Sequence, residues 1–511
     1  MTDQPEASSP APGRAQGAVG NTLLQLAAQL TGAAFTAGLT IYLVRSLGPH
    51  GYGAFAIAVS IGLLLLLPSD FGLSAAIARF LAERRDDPDA ASGVLARGLQ
   101  LKVGAGAVTT IILFAVAPVI ARAYGYPGLT WPLRWVSLAL FGAGLVYFLN
   151  ACFAAVRTSS SSLKMYLCES AVETAASILL VASGLGVAGA ALGRAVGYSA
   201  GAVGGLILAR PIIGPFRRAW RARRVLSVRA LARYASAMMI VDSAHTAIAQ
   251  IDVLFIAAMV SVQAAGPFAA VTRLFTFLNY LGTAVASGVG PRLARTARAE
   301  PDARTFGLGL KYVVIFEGVL LAPLVVWSKP IVTLVLGPGY AESVGVLRAL
   351  APSAVLGGLA PVLALGVNYL GEARRRVPVM LGVLVLGIVS TYVLIQTVGV
   401  IGAAVADDLV LLAHVLAHLW IGRSLIEIDL RRFGLTCARV LGAAAVMGLV
   451  MAAVGTGRLS PAQWIIGSVA GVFVFTLVLR LSGEVTRKEL DWVRRTTLVA
   501  LRRARPTRVG V

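Results

Sequence analysis

Apolar residues run in blocks of roughly 20 or more along nearly the whole chain, with short polar stretches between them. A block of that length matches an α-helix crossing the hydrocarbon core of a bilayer, where every backbone polar group must bond within its own segment. Fourteen spans fit the pattern: residues 20–45, 53–78, 95–120, 132–156, 165–183, 187–209, 235–260, 266–290, 309–335, 345–370, 377–397, 399–421, 438–457 and 461–482. The pattern therefore predicts an all-α polytopic membrane protein of about 14 transmembrane helices. Residues 1–18, rich in Pro, Ala and Ser, read as a disordered cytoplasmic tail. A signal peptide is not expected there: Asp3 and Glu6 outnumber Arg14, and the apolar run that follows is too long.

Composition narrows the class. The chain is 58% hydrophobic and 13% charged, against about a quarter charged in soluble domains, which excludes a set of globular units. Its formal net charge is +22, a value that in a soluble protein would point to nucleic acid. Here the basic residues sit between apolar runs. With both termini inside, 8 of the 45 Lys and Arg fall on the outer side: Arg45, Arg122, Arg134, Arg194, Arg273, Lys329, Arg348 and Arg458. That asymmetry is the positive-inside bias, and it predicts a multi-pass protein of the cytoplasmic membrane with both ends cytoplasmic. Two basic inner segments, a linker at 210–234 and a tail at 484–511, interleave Arg with Trp, Leu and Val. They read as surfaces for anionic membrane lipids, and no nucleic-acid-binding fold accompanies them. Cys152, Cys168 and Cys437 show no metal or disulfide spacing.

The spans repeat. Gly53-Ala54-Phe55-Ala56 returns as Gly266-Pro267-Phe268-Ala269, Arg79 as Arg292, and Gly186-Val187-Ala188-Gly189 as Gly399-Val400-Ile401-Gly402, each 213 residues later. Three matches at one offset in corresponding spans define a unit of six helices. Because six is even, both copies share one orientation, which predicts two lobes about an axis along the membrane normal. The lobes are 19–209 and 235–421, with spans 13 and 14 (422–483) outside the repeat. This plan belongs to transporters that open alternately to each side.

Between spans one and two stands Leu47-Gly48-Pro49-His50-Gly51-Tyr52-Gly53, followed by Asp70-Phe71-Gly72-Leu73 and Arg79. Farther on stands Leu336-Gly337-Pro338-Gly339-Tyr340-Ala341-Glu342, running to Leu347-Arg348-Ala349-Leu350. With Asp252 in span seven, these motifs resemble the polysaccharide and lipid-linked oligosaccharide flippases of the multidrug/oligosaccharidyl-lipid/polysaccharide exporter superfamily, over residues 20–425. His50 and Phe268 depart from the residues common there. The resemblance implies transfer of a polyprenyl-pyrophosphate-linked glycan from the inner to the outer leaflet, alongside other glycan-assembly proteins. It also implies that spans 13 and 14 offer a groove for the lipid tail. A cation-coupled drug or metabolite antiporter of the same fold is the alternative. A membrane glycan polymerase or ligase is disfavoured by short outer loops and by the lack of a nucleophile, metal or nucleotide motif.

Moving a pyrophosphate through hydrocarbon calls for fixed positive charge and hydrogen-bonding groups, and ionisable residues inside spans are costly enough to ask for a reason. The cavity candidates are Arg273, Arg45, Arg79, Arg348, Gln250 and Asn279. Arg45, Arg194 and Arg348 lie near the outer interface, where a long side chain can also reach water. Candidates for coupling or gating are Asp70, within the Pro68–Gly72 break of span two, and Asp242, His245 and Asp252 of span seven. The i, i+4 pair Glu169 and Glu173 joins them, with Asp407 and Asp408 in span twelve as further acids. A coupling H+ or Na+ is the one small ion implied, with no cofactor. His414 and His418 have metal-binding spacing but lack a third ligand. Gly197, Gly201 and Gly205 give span six a smooth face for close packing.

Overall fold

The computed structural model describes residues 12–84, 86–213, 228–278, 282–283, 285–286, 293, 302–426 and 429–485. Helices account for almost all of it. Among the described residues, ten helical stretches are long and apolar enough to cross a membrane. Two of these, Thr31–Asp70 and Ser159–Ile212, are 40 and 54 residues long, and each covers two predicted spans. The chain is an all-helical polytopic membrane protein of about 10 to 15 helices, a range that includes the predicted fourteen without fixing it.

The contacts divide the chain into two compact units, one of residues 1–277 with 376–410 and one of 278–375 with 411–511. The first unit begins with α1 (Pro12–Asp70), which bends at Gly48, where φ is 65°. Only glycine takes that conformation without strain, and Pro49 follows with a φ suited to starting the next helix. After α1 come α2 (Leu73–Glu83), α3 (Pro88–Ala123), α4 (Thr130–Ala155), α5 (Ser159–Leu180), α6 (Gly186–Ile213), α7 (Val228–Met259) and α8 (Val262–Leu278). Asp87 caps α3 by accepting from the backbone N–H of Asp89 and Ala90, each at 3.1 Å. Ile77, Leu95, Phe148, Phe153 and Met165 form the centre of its core.

The repeat has a physical counterpart in this unit. A Cβ on Gly53 would collide with the backbone of Val262 and Gly266, and a Cβ on Gly266 with the backbone of Pro49 and Gly53. Adding 213 to 49 and 53 gives 262 and 266, so the contact is reciprocal: two equivalent helix starts cross through their equivalent glycines. The α5–α6 pair shows a second close approach. Gly193, Gly197, Gly201 and Gly205 of α6 pack on Ser177, Glu173, Glu169 and Met165 of α5, in antiparallel register every fourth residue. The predicted smooth face is there, extended by one residue.

The second unit contains α9 (Ala303–Gly318), α10 (Leu321–Val326), α11 (Ser328–Val335), α12 (Ser343–Ala349) and α13 (Ala351–Tyr369). Next come α14 (Arg376–Val398) and α15 (Val400–Arg423); α14 and the first part of α15 belong to the first unit, the rest of α15 to the second. The unit ends with α16 (Leu430–Val454) and α17 (Pro461–Leu481). Trp327 is its largest buried side chain, stacked edge-on against Trp464 with centroids 4.9 Å apart. Its indole N–H donates to the Gly455 carbonyl at 2.9 Å, tying the α10–α11 junction to the turn between α16 and α17.

Candidate functional site

The glycine face of α6 sets the first part of the site. Because α6 carries no side chains there, α5 approaches closely enough for Glu173 to meet Arg194 at 2.8 Å. The same guanidinium donates to the Tyr198 hydroxyl at 3.2 Å and lies 5.1 Å from the centre of that ring. Tyr147 extends the chain, its hydroxyl 3.4 Å from that of Tyr198. Glu169, one turn from Glu173, accepts from Ser170 at 3.0 Å and shares a hydrogen bond with Glu173. One member of the predicted carboxyl pair, Glu173, is thus compensated by a cation that the sequence placed near the outer interface. Arg194 turns inward because a partner waits on the neighbouring helix, and pairing offsets the cost of burying both charges.

The second part is the break in span two. Helix α1 ends at Asp70, Phe71 and Gly72 take left-handed backbone (φ 44° and 67°), and α2 starts at Leu73. Pro68 itself stays inside α1. Asp70 thereby faces α3, where Lys102, 2% exposed, forms a buried salt bridge with it. Ser74 donates to the same carboxylate oxygen. A cavity of about 200 Å³ opens here, lined by Leu66, Asp70, Ser74, Lys102, Tyr147 and Ser243 among others. Tyr147 belongs to both parts, so a polar track runs from Lys102 and Asp70 past Tyr147 to Tyr198, Arg194 and Glu173.

Arg273 is half-buried on α8, near the buried Tyr52, itself 3% exposed. Tyr52 also lies in the field of Arg194. Among the described residues Arg273 has no carboxylate partner. Asp252 accepts instead from the Thr391 hydroxyl at 2.7 Å and lies against the Asp407 carboxyl. Two carboxyl groups in such contact are satisfied by one shared proton or a small cation.

The remaining candidates are dispersed. Arg79 is exposed and pairs with Glu83 at 2.9 Å along its own helix. Arg348 is exposed in the second unit, donating to Ser328 at 2.7 Å. Arg45 and His245 are exposed, and Gln250 is half-buried. Asn279 and the side chain of Asp242 lie outside the described residues. The structure adds groups that the sequence reading passed over: Lys102, Tyr147 and Tyr198 in the first unit, and Glu317 in the second. Glu317 is fully buried against Gly358, beside the backbone of Gly282. Lys102 was visible only as a basic residue in an otherwise apolar run, which is itself a signal.

Known structures share this architecture. A lipid II flippase, MurJ, in an inward closed conformation superposes with a TM-score of 0.70 at 13% identity, covering 90% of this chain and 98% of its own. The MATE multidrug transporter DinF-BH gives 0.61 at 16% identity, covering 84% of this chain and all of its own. An inward-facing multidrug resistance MATE transporter of the MOP superfamily gives 0.59 at 14% identity, over 81% of this chain and 98% of its own. No curated protein matches by sequence. At these identities the likeness establishes the fold. The family model for polysaccharide biosynthesis proteins, in contrast, matches residues 18–297, more than half of the chain and all of the polar track, and the chain belongs to the polysaccharide biosynthesis protein family.

Proposed function

We propose that this transporter flips a polyprenyl-pyrophosphate-linked oligosaccharide or polysaccharide precursor from the inner to the outer leaflet by alternating access. The observation that carries the reading is Arg273. It is embedded near the buried Tyr52 and has no carboxylate partner among the described residues. A charge left uncompensated in a membrane span is costly unless a ligand supplies its counter-charge, and a pyrophosphate does so. Tyr147, exposed beside the cavity, offers a ring face of the kind that holds sugars. The family to which the chain belongs supports a glycan cargo, and the fold shared with a lipid II flippase supports a lipid-linked one.

The two-lobe plan fits this role, with residues 19–209 and 235–421 as the lobes. Their rocking would pass the headgroup while the lipid tail stays in the bilayer. On the same reading the protein sits in the cytoplasmic membrane with both termini inside. The Asp252–Asp407 pair, bridged to α14 by Thr391, is our candidate for the coupling H+ or Na+. A second reading, cation-coupled antiport of a drug or metabolite, draws on the fold shared with MATE transporters. Arg273, embedded and without a carboxylate partner among the described residues, favours an anionic cargo over a cationic one.

The test is depletion of the protein followed by leaflet-resolved labelling of polyprenyl-linked glycan. Accumulation in the inner leaflet is expected. An intact surface polysaccharide with no accumulation would sink the proposal. Arg273→Ala should lower export at least tenfold, at about 1.4 kcal/mol per tenfold, while leaving membrane levels unchanged. Normal export by that variant removes Arg273 from the site.

A further inference from the structure

The second unit holds a larger cavity that none of the foregoing uses. It measures about 520 Å³ and lies where α9 and α16 begin and α17 ends, a size within the range of small-ligand sites. Four cations line it: Arg304 and Lys311 from α9, Arg432 and Arg439 from α16. Two carboxylates oppose them, and both are already engaged. Asp429 caps α16 by accepting from the backbone N–H of Arg432 at 2.9 Å. Glu484 accepts from Arg439 at 2.7 Å and from Thr436 at 2.8 Å, while Lys311 donates to the Glu484 backbone carbonyl at 2.7 Å. Arg304 and Arg432 are left exposed at the rim, with no carboxylate partner among the described residues. The cavity therefore has a net positive lining around open space.

Its surroundings say what kind of anion would enter. Leu308, on the rim, is 38% exposed, and Leu435, next to Thr436, is 48% exposed. Both sit in the first two turns of helices long and apolar enough to cross a membrane, beside the basic residues at those helix ends. The opening thus lies at the basic ends of three such helices, with exposed apolar side chains beside it. A small inorganic anion would satisfy the arginines but leave the leucines without a role. A phosphate ester carried on an apolar tail satisfies both.

We propose that this cavity is a binding site for the phosphate headgroup of an anionic membrane lipid, with Arg304 and Arg432 as the primary contacts and Lys311 and Arg439 behind them. Its residues are distinct from the polar track and lie in the other unit.

Native mass spectrometry of the full chain, released from detergent with added phosphatidylglycerol, tests it. Tight, saturable binding of phosphatidylglycerol is expected, with phosphatidylcholine at least tenfold weaker. The double variant Arg304→Gln/Arg432→Gln should bind phosphatidylglycerol roughly 30-fold more weakly, each cation near an anionic headgroup contributing about fivefold. Both side chains are exposed, so the variant is expected to fold, and its thermal unfolding without lipid checks that. Equal binding by the variant, or equal binding of phosphatidylcholine, overturns the anionic headgroup. Inorganic phosphate that displaces the lipid at the same concentration overturns the lipid as source and leaves a phosphate site. Strong binding that appears only after removal of residues 486–511 shows that the chain's own tail fills the cavity, and overturns the proposal.

Discussion

Replacing Gly266 by Ala sets two known effects against each other. Alanine favours a helix over glycine by about 1 kcal/mol, so an exposed position gains stability. At Gly266 the added methyl falls on the Pro49 carbonyl oxygen. That obstacle is backbone inside a helix rather than the end of a flexible side chain, so the two helices must move apart. Overpacking of this kind costs about 1–3 kcal/mol, and a rigid obstacle places the cost toward the upper end. The net expectation for Gly266→Ala is a loss of about 1–2 kcal/mol, and Gly53→Ala should behave alike because the contact is reciprocal. The double variant should lose less than the sum, since a separation forced by the first methyl accommodates the second. Gly104→Ala on α3 supplies the control: nothing lies within 4 Å of its Cβ position, so it should be neutral or stabilising. The assay is thermal unfolding of purified protein in one detergent. A rise in stability for Gly266→Ala matching that of Gly104→Ala would refute the reciprocal crossing, and strict additivity of the double variant would refute the shared contact.

Three further outcomes follow from named contacts. Lys102→Met should cost about 3 kcal/mol by leaving Asp70 without its cation, and adding Asp70→Asn should restore most of it, as measured by denaturation of the single and double variants. Trp327→Phe removes the donor to the Gly455 carbonyl and leaves a small void, which should cost about 1–3 kcal/mol in the same measurement. Glu484 lies beyond the end of α17. Burial alone would raise its pKa, but hydrogen bonds from Arg439 and Thr436 and the charges of Lys311 and Arg439 hold it below the ordinary 4.5. A carboxylate with a lowered folded pKa contributes stability that is complete above about 4.5 and is lost as pH falls through the folded value. Acid unfolding of Glu484→Gln should therefore lack that part of the pH dependence, and a curve parallel to the parent's would contradict it.

How far the site was legible depends on distance along the chain. Asp70, Arg273, Glu169, Glu173 and Asp252 stood out because an ionisable residue in an apolar run is conspicuous by itself. Their partners did not. Lys102 is 32 residues from Asp70, Arg194 is 21 from Glu173, and Thr391 is 139 from Asp252. No local pattern links such positions, so the sequence left Arg194 at an interface and left Asp252 among the coupling candidates without a partner named. Glu317 escaped notice because a single acid in span nine carries no periodic signal, and its burial depends on Gly358 from another helix.

The sequence by itself determined that this is a helical membrane protein, because hydrocarbon offers the backbone no partners and so demands long, apolar, self-bonded segments. It also carries short matches at one offset of 213 residues, one pair of which, Gly53 and Gly266, meets in the structure. The tertiary structure decided how charge is balanced. Whether an embedded arginine is paired, as Arg194 is with Glu173, or has no carboxylate partner among the described residues, as with Arg273, depends on which faces of distant helices meet. Ion pairing acts over a few ångströms, while the hydrophobic pattern constrains only each helix's length and its place in the bilayer.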